Sequence, residues 1–193
     1  MRSRLFHPIQ RLVQSDSGLI LAFFWGVAEA LFFPIFPDYY LFAVVPAAPS
    51  RWWRAASFAT VGSIIGGTIG YWIAVALHSF SIASHMPLIA PGMMREASDW
   101  IRALGGFAVL RQPLSGIPYK VFVFLCGARH LSFIVFIWAS LIARGVRLFA
   151  IAGLAAILGK LPETWRSRTY DLFLALFTIT FGLALAAVVR SFR

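Results

Sequence analysis

Four charged side chains interrupt the apolar segments of this 193-residue chain, and their types and spacing are suited to chemistry within a membrane. Glu29 and Asp38 lie in one apolar segment, and Arg111 and Lys120 lie in a later one. A charge inside a bilayer is costly, so it is found beside a partner, in a water-filled cavity or at a functional site. The bases could hold an anionic headgroup such as a phosphate, and a carboxylate could bind and release a proton. The sequence thus predicts proton-coupling acids, Glu29 and Asp38. It predicts substrate-binding bases, Arg111 and Lys120.

Two other interpretations of polar residues remain open at this stage. The four charges could instead form structural ion pairs, and a lysine or arginine near a bend could extend its charged end to the interface. An intramembrane lipid phosphatase would need a nucleophile with an oriented base. The candidate residues for it are Ser115, Arg129, His130 and Ser132. No second histidine lies in a partner motif, so the sequence favours a protein that is not an enzyme.

The composition is that of an all-α, polytopic membrane protein. Hydrophobic residues make up 60% of the chain, charged residues 12%, and the formal net charge is +10. The basic residues stand at the ends of apolar runs, as expected beside anionic headgroups, which argues against a nucleic-acid partner. The length suits one membrane domain of about five or six helical pieces. The single cysteine excludes an intramolecular disulfide. No metal site and no cofactor are predicted.

Prolines divide two apolar segments that have unusual lengths. Residues 18–50 are too many for one crossing, which takes ~20 residues, and too few for two crossings with a turn. Pro34 and Pro37 lie near the middle of this run, and arginines flank both of its ends. Basic flanks on both sides place both ends on the cytoplasmic face. The sequence therefore predicts a re-entrant hairpin over 18–50.

A second broken segment covers residues 104–129, where Pro113 and Pro118 are the breaks. Each broken segment is followed by an apolar stretch long enough to span. The first spanning helix would run outward, so the second hairpin would enter from the opposite face. Two such units in opposite orientation are typical of an inverted-repeat transporter.

The remaining segments complete the predicted topology of an 18–160 membrane domain with an N-terminus in the cytoplasm. The prediction comprises an interfacial amphipathic leader over 1–17, a spanning helix over 55–77, an external segment over 78–103, a spanning helix over 131–149 that ends at Arg144 and Arg147, and a C-terminal spanning helix over 169–190. Whether residues 146–158 continue the second spanning helix or lie at the surface is left open.

Small residues recur every four positions on the first spanning helix, at Gly62, Gly66 and Gly70, followed by Tyr71. A face of this kind lets another helix approach closely. We expect it to serve helix packing within the chain, because a broken segment needs a close neighbour. Dimerisation is the alternative, so a homo-oligomer remains possible.

At these residues the chain resembles the DedA family, the bacterial members of the VTT-domain (SNARE-associated Golgi protein) superfamily. Three motifs over residues 19–149 carry the resemblance, and the shorter YqaA-like branch is the most similar. They are Glu29 with Pro34, Pro37 and Asp38; Gly62, Gly66 and Gly70 with Tyr71; and Pro118 with Lys120 and Gly127. The chain departs from the family pattern where Lys120 replaces an arginine, and a lysine binds phosphate without the bidentate geometry of a guanidinium.

The resemblance implies two facing re-entrant hairpins and a role in lipid transport across a bacterial cell inner membrane. It implies a flippase or scramblase whose partners are membrane lipids and protons, with an anionic lipid phosphate such as undecaprenyl phosphate as the substrate. The acidic pair of the family falls on Glu29 and Asp38. A non-transporting scaffold or assembly factor is the alternative, although it would have no need for an acid within the membrane.

Overall fold

The protein is all-helical in the computed structural model, which describes residues 5–79 and 85–192 and contains no β-strand in those ranges. Within them, eight helices have eight or more residues. These are α1 (Phe6–Gln14), α2 (Asp16–Leu31), α3 (Pro37–Val44), α4 (Trp52–Leu77), α5 (Pro91–Leu104), α6 (Tyr119–Ala128), α7 (Phe133–Leu158) and α8 (Glu163–Ser191). Short helical turns fill part of the connection from α5 to α6.

Three stretches among the described residues are long and apolar enough to cross a membrane: Pro49–Leu77, Phe133–Leu158 and Thr169–Ser191. They correspond to α4, α7 and most of α8. A helix that spans the ~30 Å hydrocarbon core needs about 20 residues, and each of these stretches exceeds that length. The chain is therefore a membrane protein.

The first broken segment has its interruption between α2 and α3. Pro34 has no backbone N–H to continue the α2 hydrogen bonds, and α3 begins at Pro37, where the fixed φ of proline suits the first helical turn. Outside the helix, Phe33 N donates to Ala28 O at 2.7 Å. Trp25 Nε1 donates to Ile35 O at 3.0 Å. The interruption is thus held against α2 by hydrogen bonds.

The second interruption lies between α5 and α6. Gly105 has a φ of +57°, which a residue with a side chain rarely adopts, and it begins a 3-10 turn over Gly105–Arg111. A single helical turn, Gln112–Ser115, follows and contains Pro113, and α6 begins directly after Pro118. Both predicted pairs of prolines therefore lie at or beside a helix interruption.

The glycine face of α4 packs against the backbone of α2. A Cβ added at Gly62 would overlap Phe23 O, and one at Gly66 would overlap Val27 O. Gly70 instead faces Val123 of α6. Because no larger residue fits at these contacts, glycine sets the close approach of the helices within the chain.

Tyr71 follows this face and ties α4 to the start of α7. Its hydroxyl donates to Leu131 O, and its ring stacks on Phe136 with centroids 5.1 Å apart. The α4 helix therefore contacts both broken segments and α7, and it forms the centre of the structure.

The second spanning helix extends further than the predicted range of 131–149. α7 begins at Phe133 and continues to Leu158, so residues 146–158 belong to the span. Arg144 and Arg147 do not mark its end; they lie near its middle, where each has an acidic partner. The prediction placed the end too early because arginines commonly mark the end of a span.

Two peripheral helices, α1 and α5, correspond to parts of the predicted leader and the predicted external segment. In the region of the leader, α1 buries Phe6 and Val13, while Arg2 and Arg4 lie outside the described residues. Part of the external segment forms α5, and residues 80–84 of that segment are outside the described ranges.

The last helix, α8, has few contacts with the rest of the protein. None of the residues in its apolar window is buried. Tyr39 of α3 stacks on Phe177, with ring centroids 5.4 Å apart, and Tyr39 Oη lies 3.0 Å from Thr178 Oγ1. At the other end, Gly92 N donates to Phe192 O at 3.0 Å. α8 therefore lies along the outside of the helices that contain the candidate site.

Candidate functional site

A completely buried ion pair joins α2 to α7. Arg144 Nη2 lies 2.7 Å from Glu29 Oε2, and both side chains have no solvent exposure. Arg144 is near the middle of α7, and the same Nη2 donates to Ser63 Oγ, near the middle of α4, at 2.9 Å. The pair thus lies near the middle of two spanning helices, α4 and α7.

Two hydroxyl groups accompany the Arg144 guanidinium. The ring of Tyr119, the first residue of α6, lies 5.0 Å from Arg144 Cζ. Ser140 precedes Arg144 by one turn of α7 and lies beside Tyr119. Both hydroxyls are buried and interact with each other, and neither has a further hydrogen-bond partner among the described residues. Two buried hydroxyls that have only each other as partners leave part of their hydrogen-bonding capacity unused.

A second acid–base pair joins α3 to α7. Arg147 Nε donates to Asp38 Oδ2 at 2.8 Å, and Nη2 also donates to that oxygen. Arg147 Nη1 reaches Pro113 O at 3.4 Å. This arginine therefore brings the first broken segment into contact with the second.

Lys120 lies at the first interruption, on the segment that faces its own. Its Nζ donates to Phe33 O at 2.8 Å and to Phe32 O at 3.5 Å. These carbonyl groups follow the end of α2, where intrahelical donors run out. Lys120 thus satisfies backbone groups of the facing segment in this structure.

Arg111 lies apart from these charges. Its side chain is exposed, and its guanidinium carbon lies 5.4 Å from the centre of the Trp100 ring. The structure therefore brings together three of the four charged residues singled out in the sequence, Glu29, Asp38 and Lys120. It leaves Arg111 outside the group.

Sequence reasoning missed the partners of both acids, Arg144 and Arg147. The available signal was the run of residues 148–158, which is wholly apolar and long enough to extend the helix past both arginines. With that extension, two acids and two arginines would have stood inside apolar segments, and pairing would have been the expected outcome.

The residues of the weaker enzyme hypothesis are engaged in separate contacts. Arg129 Nη1 donates to Ser98 O at 3.1 Å, and the ring of His130 lies 5.0 Å from that of His78. Ser115 Oγ donates to Gln112 O at 3.0 Å. Across the described part of the chain, no three His, Cys, Asp or Glu side chains form a group that could hold a metal ion.

The central group contains more basic than acidic side chains. Two carboxylates, Glu29 and Asp38, face three bases, Arg144, Arg147 and Lys120. With all of them ionised, one positive charge is left in a region with little access to water. Such an arrangement can accept an anion with several oxygen atoms, because guanidinium and ammonium groups donate charge-assisted hydrogen bonds.

Comparison with known proteins identifies two similar bacterial proteins. An uncharacterized protein from Haemophilus influenzae is 30% identical over 147 residues, which cover 70% of this chain and 72% of that protein. An uncharacterized protein from Histophilus somni is 33% identical over 144 residues, or 72% of this chain and 75% of that protein. No protein-family model matches the chain. No solved structure matches it. The chain belongs to the same family as these uncharacterized proteins of Haemophilus influenzae and Histophilus somni.

Proposed function

We propose that this protein is a DedA-type lipid transporter of the bacterial inner membrane, a proton-coupled flippase or scramblase of anionic lipid phosphates. The observation that carries the proposal is the Glu29–Arg144 pair, buried at the middle of α4 and α7. A charged pair is a costly way to hold apolar helices together, because well-packed hydrophobic side chains of similar volume often stabilise a protein as well or better. Ionisable groups at this depth are accordingly functional candidates.

The two interrupted segments supply the proposed transport pathway. We infer that residues 18–50 and 104–129 are re-entrant hairpins that enter from opposite faces, as in an inverted repeat. The contacts of Arg147 with Asp38 and Pro113, and of Lys120 with the first interruption, support a meeting of their tips. Backbone that leaves helical geometry at membrane depth must be shielded by protein or line a cavity.

The charges supply the proposed chemistry. Glu29 and Asp38 each leave one carboxylate oxygen without a hydrogen-bond partner in the described ranges, so each could accept a proton. Protonation weakens the hold of the acid on its arginine, and the base then becomes available to an anionic headgroup. An anionic lipid phosphate, such as undecaprenyl phosphate, would thereby be moved at the expense of a proton gradient.

A leaflet-exposure assay in proteoliposomes tests the proposal. Vesicles of neutral phospholipid would contain a trace of polyprenyl phosphate, with a neutral polyprenol as the matched control lipid. We expect the protein to speed the appearance of the phosphate in the opposite leaflet, and an imposed pH gradient to change the rate. Glu29→Gln and Asp38→Asn should abolish the effect while the protein stays in the membrane. Transfer no faster than in protein-free vesicles would contradict transport and favour a scaffold.

A further inference from the structure

The Arg144 guanidinium is only partly satisfied by its acid. Nη2 donates to Glu29 Oε2 at 2.7 Å and to Ser63 Oγ at 2.9 Å. Nε and Nη1 are buried and have no hydrogen-bond partner within the described residues. A guanidinium presents its N–H donors in a planar fork that matches the oxygens of a phosphate. Most of that donor capacity is unused while Glu29 is the partner.

Two hydroxyls near Arg144 add hydrogen-bonding capacity. Tyr119 Oη and Ser140 Oγ are buried, interact with each other and have no further partner in the part of the chain that the structure describes. Tyr119 is on α6, whereas Ser140 is on α7 with Arg144. Groups from two helices therefore lie near the guanidinium, and either hydroxyl could turn from the other to donate a hydrogen bond to a ligand.

The charges around Arg144 favour an exchange of anions. From α2 it meets Glu29, and from α6 it meets Tyr119, next to Lys120. A guanidinium stays protonated in proteins, whereas a carboxyl group can take up a proton. A neutral Glu29 would leave Arg144 without a counter-ion, and a phosphate would restore the balance of charge.

We propose that Arg144, Tyr119 and Ser140 form a binding site for a phosphate monoester, which replaces the Glu29 carboxylate on the guanidinium. This inference rests on the proposed function and assigns its headgroup site. A phosphate site and a purely structural ion pair predict opposite effects of removing the Glu29 charge on phosphate affinity. Removal of the Glu29 charge removes a competitor and should tighten phosphate binding, whereas loss of a structural brace should weaken it.

Calorimetric titration of the full-length protein in detergent micelles tests the sign, with farnesyl phosphate as the probe. We expect Glu29→Gln to tighten binding and Arg144→Gln to weaken it, each by about tenfold, since charge-assisted hydrogen bonds are at stake. Weaker binding in both variants would overturn the proposal. Inorganic phosphate and farnesol are the comparison ligands. Binding of inorganic phosphate alone would assign the site to free phosphate, and equal binding of farnesol would overturn it.

Two conservative variants keep the test independent of folding. Tyr119→Phe and Ser140→Ala each remove a hydroxyl whose one polar partner in the described structure is the other hydroxyl, so both variants should have nearly the same, small effect on the unfolding temperature. Each should still weaken farnesyl phosphate binding about fivefold, the effect of losing one hydrogen bond to a charged group. Ser57→Ala, near the start of α4, is the matched control and should leave binding unchanged. Unaltered binding in both test variants would contradict the site.

The binding and transport measurements separate the two proposals. The predicted binding pattern without lipid transfer in proteoliposomes would support the phosphate site and reject the transport function. Transfer with weaker binding in Glu29→Gln would support transport and reject the exchange at Arg144.

Discussion

At the scale of single residues, the members of the Glu29–Arg144 pair are not equivalent. A buried carboxyl group can become neutral by taking up a proton, but a guanidinium cannot readily lose one. Loss of Glu29 therefore leaves a buried, unpaired guanidinium. Loss of Arg144 leaves a carboxyl group that can become neutral by taking up a proton. Both side chains are completely buried, so solvent cannot compensate for either loss.

We therefore expect unequal effects on stability. Glu29→Gln should lower the free energy of unfolding by about 3–5 kcal/mol, the range for breaking a buried pair. Arg144→Gln should cost less, because a carboxyl group left without its base can take up a proton, whereas an unpaired guanidinium stays charged. Unfolding by sodium dodecyl sulfate in mixed micelles measures these differences.

The double variant Glu29→Gln with Arg144→Gln is the control for this prediction. It carries neither charge, so it should recover most of the stability that Glu29→Gln loses. Equal losses of stability in the two single variants would contradict the expected difference between the acid and the base.

Lys120 donates hydrogen bonds to the backbone of the protein in this structure. Its Nζ serves carbonyl groups after the end of α2, at Phe32 and Phe33. Lys120→Met keeps the length of the side chain and removes these donors, so amide hydrogen exchange should rise at residues 32–36. Arg111→Gln is the matched control, since Arg111 is exposed and lies away from that segment. Unchanged amide hydrogen exchange in Lys120→Met would show that Lys120 does not stabilise this segment.

At the scale of elements, the sequence predicts helix interruptions better than it predicts partners. Pro34 and Pro118 act locally, because a proline has no N–H and restricts the residue before it. The partner of Glu29 is 115 residues away in the chain, and nothing local to either residue marks it. Arg144 moreover has the sequence appearance of a helix end. The interruptions could thus be predicted, while the ion pairs depended on how α2 meets α7.

The close contact between α2 and α4 predicts that a methyl group added at Gly62 destabilises the protein. Gly62→Ala places a methyl group against Phe23 O, so we expect a lower unfolding temperature and a loosened α2. Gly182→Ala, on α8, meets no described atom within 4 Å and is the matched control. There the same change should stabilise the helix by up to about 1 kcal/mol, since alanine favours helices over glycine. A stabilising effect at Gly62 would exclude close packing at that position.

At the scale of the whole molecule, the charges and the interruptions together predict a topology. The basic residues that flank 18–50 predict that both ends of this segment face the cytoplasm. In the predicted topology α4 carries the chain to the other face, and α7 returns it. In this arrangement the Glu29–Arg144 pair lies deep in the bilayer, because Arg144 is near the middle of α7.

Labelling with a membrane-impermeant maleimide tests this topology in whole cells and in inverted vesicles. Single cysteines at Gln14 and Ser50 should react only from the cytoplasmic face, because a re-entrant segment returns to the side that it left. Single cysteines at Asp99 and His130 should react only from the opposite face. The exposed positions chosen are accessible in the structure, and the native Cys126 is buried and would be replaced by alanine. Reaction of Gln14 and Ser50 from opposite faces would make 18–50 a full crossing, and the two interruptions could then not meet as paired hairpin tips.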